Sequence, residues 1–222
     1  MKTPINYLKE TWTIYTKKEN FIFFAKIMSV LVIVSTGFSY LVNYFYPIKV
    51  WEDLDYTNTP MLIGFILLSV VSLILALWVQ TTTYILILNE PTNDVKSIFR
   101  TGFKYMWKYF LVTLMFGIFV LAGLLLLVIP AIIFAVWFSL STFLVLDKKL
   151  KIKEAFVKSK SLVKGKFFKV IGTYLVFILT IFLIQVLLSA IPYVGYLFIS
   201  FIAPLFILPF YLFYKDLLRT NS

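Results

Sequence analysis

Four long stretches of this chain carry no charged residue: positions 27–48, 56–89, 109–146 and 170–214, which are 22, 34, 38 and 45 residues long. The hydrocarbon layer of a bilayer is about 30 Å thick and an α-helix rises about 1.5 Å per residue, so one crossing takes about 20 residues. The first window fits one crossing. The second fits one long or tilted helix entered at Thr59-Pro60, since threonine suits an N-cap and proline the first helical position. The third is too long for one helix and fits two crossings that reverse near Pro130, where a helix is hardest to continue. The fourth also fits two, with Ile191-Pro192-Tyr193-Val194-Gly195 as the turn. The expected fold class is all-α: a polytopic integral membrane bundle of six transmembrane helices forming a single domain over 1–222. The spans fall near 21–46, 60–88, 109–129, 131–146, 168–190 and 194–214.

Composition excludes the alternatives. Apolar residues make up 61% of the chain and charged residues 14%, against roughly 25% charged in an ordinary soluble domain. So few water-seeking groups can neither keep a chain disordered nor cover a soluble globule. There is no cysteine and no histidine, which removes disulfides, Cys/His zinc sites and every His-dependent nucleophile. No two acids are spaced for acid/base work, and no phosphate-binding glycine loop is present. Glu52, Asp53 and Asp55 read as an exposed acidic loop rather than a divalent-cation site. The chain is expected to be no enzyme, with no cofactor, no metal and no catalytic residues. The first apolar run, about 22 residues long, exceeds the 7–15 residue core of a signal peptide and reads as a permanent span.

The net charge of +11 would suggest nucleic acid in a soluble protein. Here it sorts by loop. With six spans and both termini on one side, 20 of the 21 basic residues fall on that side, including nine lysines between 148 and 169. Only Lys49 falls opposite, beside Glu52, Asp53 and Asp55. Cytoplasmic loops are the ones enriched in Lys and Arg, so the expected location is the cell membrane, multi-pass, with N- and C-termini cytoplasmic and no nucleic-acid partner. Tyr40, Tyr44, Tyr46 and Trp51 gather at one boundary and Tyr105, Trp107 and Tyr109 at the other, as interfacial aromatics do.

Three basic segments lead into spans in a similar way: from Tyr15, from Tyr105 and from Leu162. Each follows an apolar stripe at helical spacing: Leu8, Trp12 and Tyr15; Phe99, Phe103 and Met106; Ile152, Phe156 and Val163. Such stripes, with lysines opposite, describe amphipathic helices lying in the cytoplasmic interface. The unit is either an interfacial helix plus two spans used three times, or three basic entries that share only their orientation.

The stretch Ala155–Gly172, A-F-V-K-S-K-S-L-V-K-G-K-F-F-K-V-I-G, resembles a motif of the six-span membrane domain attached to some glycerophosphodiester phosphodiesterases, which also stands alone in the YciC-like group of bacterial membrane proteins. Ala155, Ser159, Leu162, Gly165, Phe167 and Gly172 match, and Lys160 replaces a frequent aromatic. The run from Leu124 to Ala131 and the closing Y-K-D-L-L-R from Tyr214 are similar to further family motifs. The likeness covers about 120 to the C-terminus. It implies a fold and a location. It does not carry the hydrolase activity, whose barrel and histidine ligands are absent here.

Several residues are singled out by their chemistry. Gly165 sits where an interfacial helix must bend into a span. Ala155, Ser159 and Leu162 share a face on which small residues allow close helix contact. Lys158, Lys164, Lys166 and Lys169 are placed to reach phosphate oxygens of anionic lipids in the inner leaflet. Lys26, Gln80 and Gln185 are the ionisable and amide groups expected within spans. A lysine near a span end snorkels, or marks a buried site; amides bond neighbouring helices, or line a polar path. Thr81, Thr82 and Thr83 extend Gln80 into a polar patch, and Pro204 and Pro209 are expected to kink the last span. Two functions follow as expectations: a non-enzymatic protein that engages anionic lipids, as an oligomer or as a partner of other membrane proteins, or a small transporter or flippase of an amphiphile.

Overall fold

In the computed structural model, residues 1–45, 59–91, 94–191 and 195–220 are described. Tyr46, Trp51, Glu52, Asp53, Asp55 and the turn centre 192–194 lie outside them. Ten helices and no strand are found among the described residues: α1 (Pro4–Thr16), α2 (Lys18–Phe45), α3 (Thr59–Leu88), α4 (Val95–Leu126), α5 (Val128–Phe138), α6 (Ser141–Asp147), α7 (Ile152–Val163), α8 (Phe167–Ser189), α9 (Gly195–Phe201) and α10 (Ala203–Arg219). Six segments are long and apolar enough to cross a membrane: α2, α3, α4, α5 with α6, α8, and α9 with α10. The protein is a multi-pass helical membrane bundle.

Two of the spans are broken. The fourth is interrupted at Ser139–Leu140, between α5 and α6. The sixth is interrupted at Ile202, where Pro204 falls in the first turn of α10 and the chain before it leaves the helix. Pro209 continues inside α10, so the expected disturbance from the two prolines is concentrated at the first. The third and fourth spans reverse at Leu127, whose backbone is fully extended, three residues before Pro130. Proline at 130 lies in the first turn of α5, where its missing N–H has no helical partner to lose. The turn is wholly apolar and exposed from Leu124 to Ile129. Its backbone is closed locally, by Leu127 N–H to the Gly123 carbonyl (2.9 Å) and Ala131 N–H to the Leu127 carbonyl (3.4 Å), as a turn bathed in lipid requires.

Only two of the three basic entries are separate helices, α1 and α7. The middle one is continuous with its span: α4 runs unbroken from Val95, capped by Asp94, whose carboxylate accepts from the Ser97 N–H at 3.1 Å. At 32 residues it is about 48 Å long, so its first turns, with Lys96, Arg100, Lys104 and Lys108, extend beyond a 30 Å hydrocarbon layer. Nothing in that entry breaks a helix. Gly102 stays helical and lets α3 approach: a methyl there would collide with the Thr82 side chain and lie 3.0 Å from its Cα. Between α7 and α8, by contrast, Gly165 takes φ +79, a left-handed conformation that glycine adopts freely.

α1 also presents a different face from the expected stripe. Tyr7, Thr11 and Tyr15 are buried against the bundle, while Trp12 is 60% exposed and Leu8 only partly covered. α7 buries Ala155, Phe156, Ser159, Leu162 and Val163.

Side-chain packing is concentrated in the half of the bundle nearest the lysines. In α2 the buried residues are Phe23 to Leu31, in α3 Thr81 to Ile87, in α8 Val170 to Phe177, and in α10 Pro204 to Leu217. One core joins α5–α8 and α10 around Leu140, Leu144, Phe177 and Phe213; another joins α2, α3 and the start of α4 around Ile27, Leu31 and Leu86. The opposite half of the spans shows Leu, Ile, Val and Phe outward, the surface lipid tails accept.

Candidate functional site

At the lysine-rich end α6, α7 and the end of α10 enclose an open groove of about 710 Å³. Its walls are Leu144, Leu150, Val157 and Leu218, and its rim carries Lys148, Lys153, Lys158 and Glu154. The local chain explains the shape. α6 ends with Lys148 and Leu150 N–H both directed to the Leu144 carbonyl (3.2 and 3.4 Å), and Lys149 between them at φ 55. This left-handed end turns Leu150 into the groove and returns the chain to α7, which opens with Lys151 N–H donating to the Glu154 carboxylate (3.3 Å). Val157, 64% exposed, is the open apolar wall.

The lysines divide into two groups. Lys149, Lys151, Lys153, Lys158, Lys164 and Lys169 are exposed and pair with no carboxylate among the described residues. The others have protein partners: Lys148 lies 3.3 Å from Asp147, Lys160 sits 4.2 Å over the Trp137 ring, and Lys166, half-buried, donates to Thr220 Oγ1 at 3.2 Å. Lys166 is thus tied to the end of α10. Ser159 and Ala155 are fully buried beneath this face. Ser159 Oγ donates to the Trp137 carbonyl (2.6 Å) and accepts from the Leu140 N–H (3.2 Å), which supplies two of the polar groups released by the break in span four; the Ser139 and Ser141 hydroxyls take the Val136 and Phe138 carbonyls. Lys160, on the same helix, covers Trp137 from outside through its cation–π contact.

A second polar cavity, about 850 Å³, lies beside the groove among Lys2, Tyr7, Asp147, Lys215, Asp216 and Arg219. The Tyr7 hydroxyl donates to Asp216 at 2.6 Å, and the Tyr214 hydroxyl to Asp147 at 2.9 Å. Burial, and then the bond to Asp216, pushes the Tyr7 hydroxyl far above its ordinary 10.0, so it remains a donor. Tyr7 stands edge-on to Phe213 (5.5 Å) and Phe177 (6.1 Å). These two tyrosine–carboxylate bonds dock α1 and α6 onto α10. Asp216 is prominent in the closing motif, but its partner lies 209 positions away, and no local pattern marks Tyr7.

The three polar residues expected within the spans are not brought together. Lys26 is exposed, about 12 Å along α2 from its start, on the opposite side from the buried Phe23, Ile27 and Leu31. Gln80 borders a cleft between α2, α3 and α9. Gln185 is exposed on α8, on the outside of the bundle. Thr81 and Thr82 are buried against neighbouring helices, and Thr83, also buried, borders the same cleft as Gln80; Thr81 and Thr83 bond the Leu77 and Val79 carbonyls. Among the described residues no cluster of acids or histidines suited to a metal is present. Compared with family models, curated proteins and solved structures, the chain matches none.

Proposed function

We propose that this is a non-enzymatic protein of the cell membrane, with both termini cytoplasmic, that holds anionic lipid at its lysine-rich face and serves envelope organisation or another membrane protein. The carrying observation is the groove beneath α7: an apolar floor for an acyl chain, with Lys153 and Lys158 unpaired at its rim. Lys164 and Lys169 extend the same charge along the entry to α8. The six-span architecture and the Ala155–Gly172 motif support kinship with the phosphodiesterase-linked membrane domain, for location and fold only.

Each lysine near an anionic surface contributes about 1 kcal/mol, so the pair Lys153→Gln with Lys158→Gln is expected to weaken phosphatidylglycerol retention roughly thirtyfold. Native mass spectrometry from mild detergent reads this directly, with phosphatidylcholine as the neutral reference. Equal retention of phosphatidylglycerol by the variant and the parent rejects the reading. Orientation is tested separately. With Asp53→Cys and Lys158→Cys in otherwise unchanged chains, an impermeant thiol reagent on intact cells is expected to label only the first; equal labelling overturns the assignment.

A second reading, transport of an amphiphile, draws on one observation. A half-open cavity of about 520 Å³ lies where the break in span four, at Ser139, faces Tyr174 of α8 and Phe210 of α10. Broken spans around a cavity are how transporters expose backbone polar groups to a substrate.

A further inference from the structure

Away from the lysines, α2, α3 and the α9–α10 junction enclose a half-open cleft of about 340 Å³ inside the membrane-spanning part. Ser35 and Ser39 of α2, Ser72, Gln80 and Thr83 of α3, and Ser200 of α9 give it a polar lining, and no charged side chain reaches it. The Ser35, Ser72 and Thr83 hydroxyls donate to the carbonyls of Val32, Leu68 and Val79 in their own helices (3.1, 2.8 and 2.9 Å). Each of these oxygens keeps lone pairs that can accept a further hydrogen bond. The Gln80 amide and the Ser39 hydroxyl have no hydrogen-bond partner among the described residues. Both side chains are exposed on membrane-spanning helices, where an amide bare in oil is costly and lipid tails do not supply the missing bonds. The lining therefore calls for an uncharged group that both donates and accepts.

The cleft meets a second groove of about 650 Å³ between α2 and α9, apolar but for Thr36 and formed by Ile33, Gly37, Leu197, Phe198 and Phe201, and the two share Val32. Gly37 faces open space, which keeps the groove wide. A polar compartment opening into an apolar one within the membrane has the shape of a head and a tail.

We propose that cleft and groove together bind one uncharged, hydroxyl-bearing glycerolipid. Its free hydroxyl donates to the serine oxygens, an ester carbonyl accepts from the Gln80 amide, and one acyl chain lies along Phe198 and Phe201. A phosphate headgroup is disfavoured, because no cation lines the cleft to pair with it. The site shares no residue with the lysine-rimmed groove, so the two assignments stand or fall separately.

The test uses the full chain in mild detergent, with dioleoylglycerol and dioleoylphosphatidylglycerol as probes and native mass spectrometry as the readout. Dioleoylglycerol is expected to be retained at one per chain. Gln80→Leu, and Val32→Trp, which plugs the junction, are each expected to weaken it about tenfold while leaving phosphatidylglycerol unchanged. The Lys153→Gln/Lys158→Gln pair is expected to do the reverse. Where Gln80→Leu does not fold, Ser39→Ala combined with Ser35→Ala takes its place, with a severalfold loss expected. Unchanged dioleoylglycerol retention in these variants overturns the proposal. So does its displacement by phosphatidylglycerol, or a dimer whose interface crosslinks through Phe198.

Discussion

Gly123→Leu is expected to prevent the third and fourth spans from closing on each other. The reversal at Leu127 brings α4 and α5 together within one turn of helix, and Gly123 meets Ala131 at the crossing. A methyl group at position 123 would stand 2.7 Å from both the Ala131 nitrogen and its Cα, and 3.0 Å from the Phe134 ring. Two of the three obstacles are backbone, which cannot rotate aside. Overpacking a core by a methylene usually costs about 1–3 kcal/mol. A leucine here must displace a helix, so its effect is expected beyond that range. Small residues at such crossings are what lets membrane helices gain contact where no hydrophobic drive exists between them. Thermal unfolding in mild detergent, followed by size exclusion, is the measurement. Gly123→Ala should fall between the parent and Gly123→Leu. Gly117→Leu, on the same helix but facing open space, should melt like the parent. If Gly123→Leu and Gly117→Leu melt alike, the crossing is not close.

The six spans were legible because charge is costly in hydrocarbon, so the charge-free windows record where oil lies whatever the packing. What needed the fold is of another kind. The break at Ser139–Leu140 has no glycine or proline from Ala131 to Leu150 to announce it. It is held by a serine about twenty positions later. At Ile202 the break was half-legible, since Pro204 demands an end before it but does not say that Pro209 will be absorbed. The second basic entry, with the same apolar stripe as the other two, stays in one helix with its span because nothing there forces a turn. Gly102 looked available for one and serves instead as the contact with Thr82. Lys149, at φ 55, supplies a turn of the kind Gly165 advertises, without glycine to mark it.

The candidate sites show the same division. That a lysine cluster existed was plain from the sequence. That Lys166 is tied to Thr220 and Lys160 to Trp137, leaving Lys153 and Lys158 at the rim of a groove, depends on three helices meeting. Gln80 and Gln185 are the same residue in similar surroundings along the chain. One borders a serine-lined cleft and the other faces outward, because the rotation of α3 and α8 is set by the packing of their lysine-side ends.

Ser159→Ala is expected to weaken the bundle by about 2–6 kcal/mol, since each of two backbone groups left unpaired costs about 1–3 kcal/mol. In an unbroken helix the Trp137 carbonyl would accept from the amide of residue 141, and the Leu140 amide would donate to Val136. The interruption of span four takes both away. Ser159 restores them with one hydroxyl, which donates to the first and accepts from the second. Alanine keeps the small volume that brings α7 against α5, so the loss isolates the hydrogen bonds from the packing. Ser159→Thr keeps the oxygen but adds a methyl where no surface is exposed, and overpacking replaces the lost bonds as the penalty. Ser161→Ala is the control: its hydroxyl bonds the Lys158 carbonyl on an exposed face, and its removal should stay within about 0.5 kcal/mol. Unfolding measures the size of the effect and amide exchange locates it. The Leu140 amide should lose protection in Ser159→Ala, while amides in the middle of α8 change only with global stability. If Leu140 exchanges at the parent's rate in that variant, the broken span is held by something other than this serine. The buried Ala155-x-x-x-Ser159 face of α7 would then need another explanation than a staple across an interrupted helix.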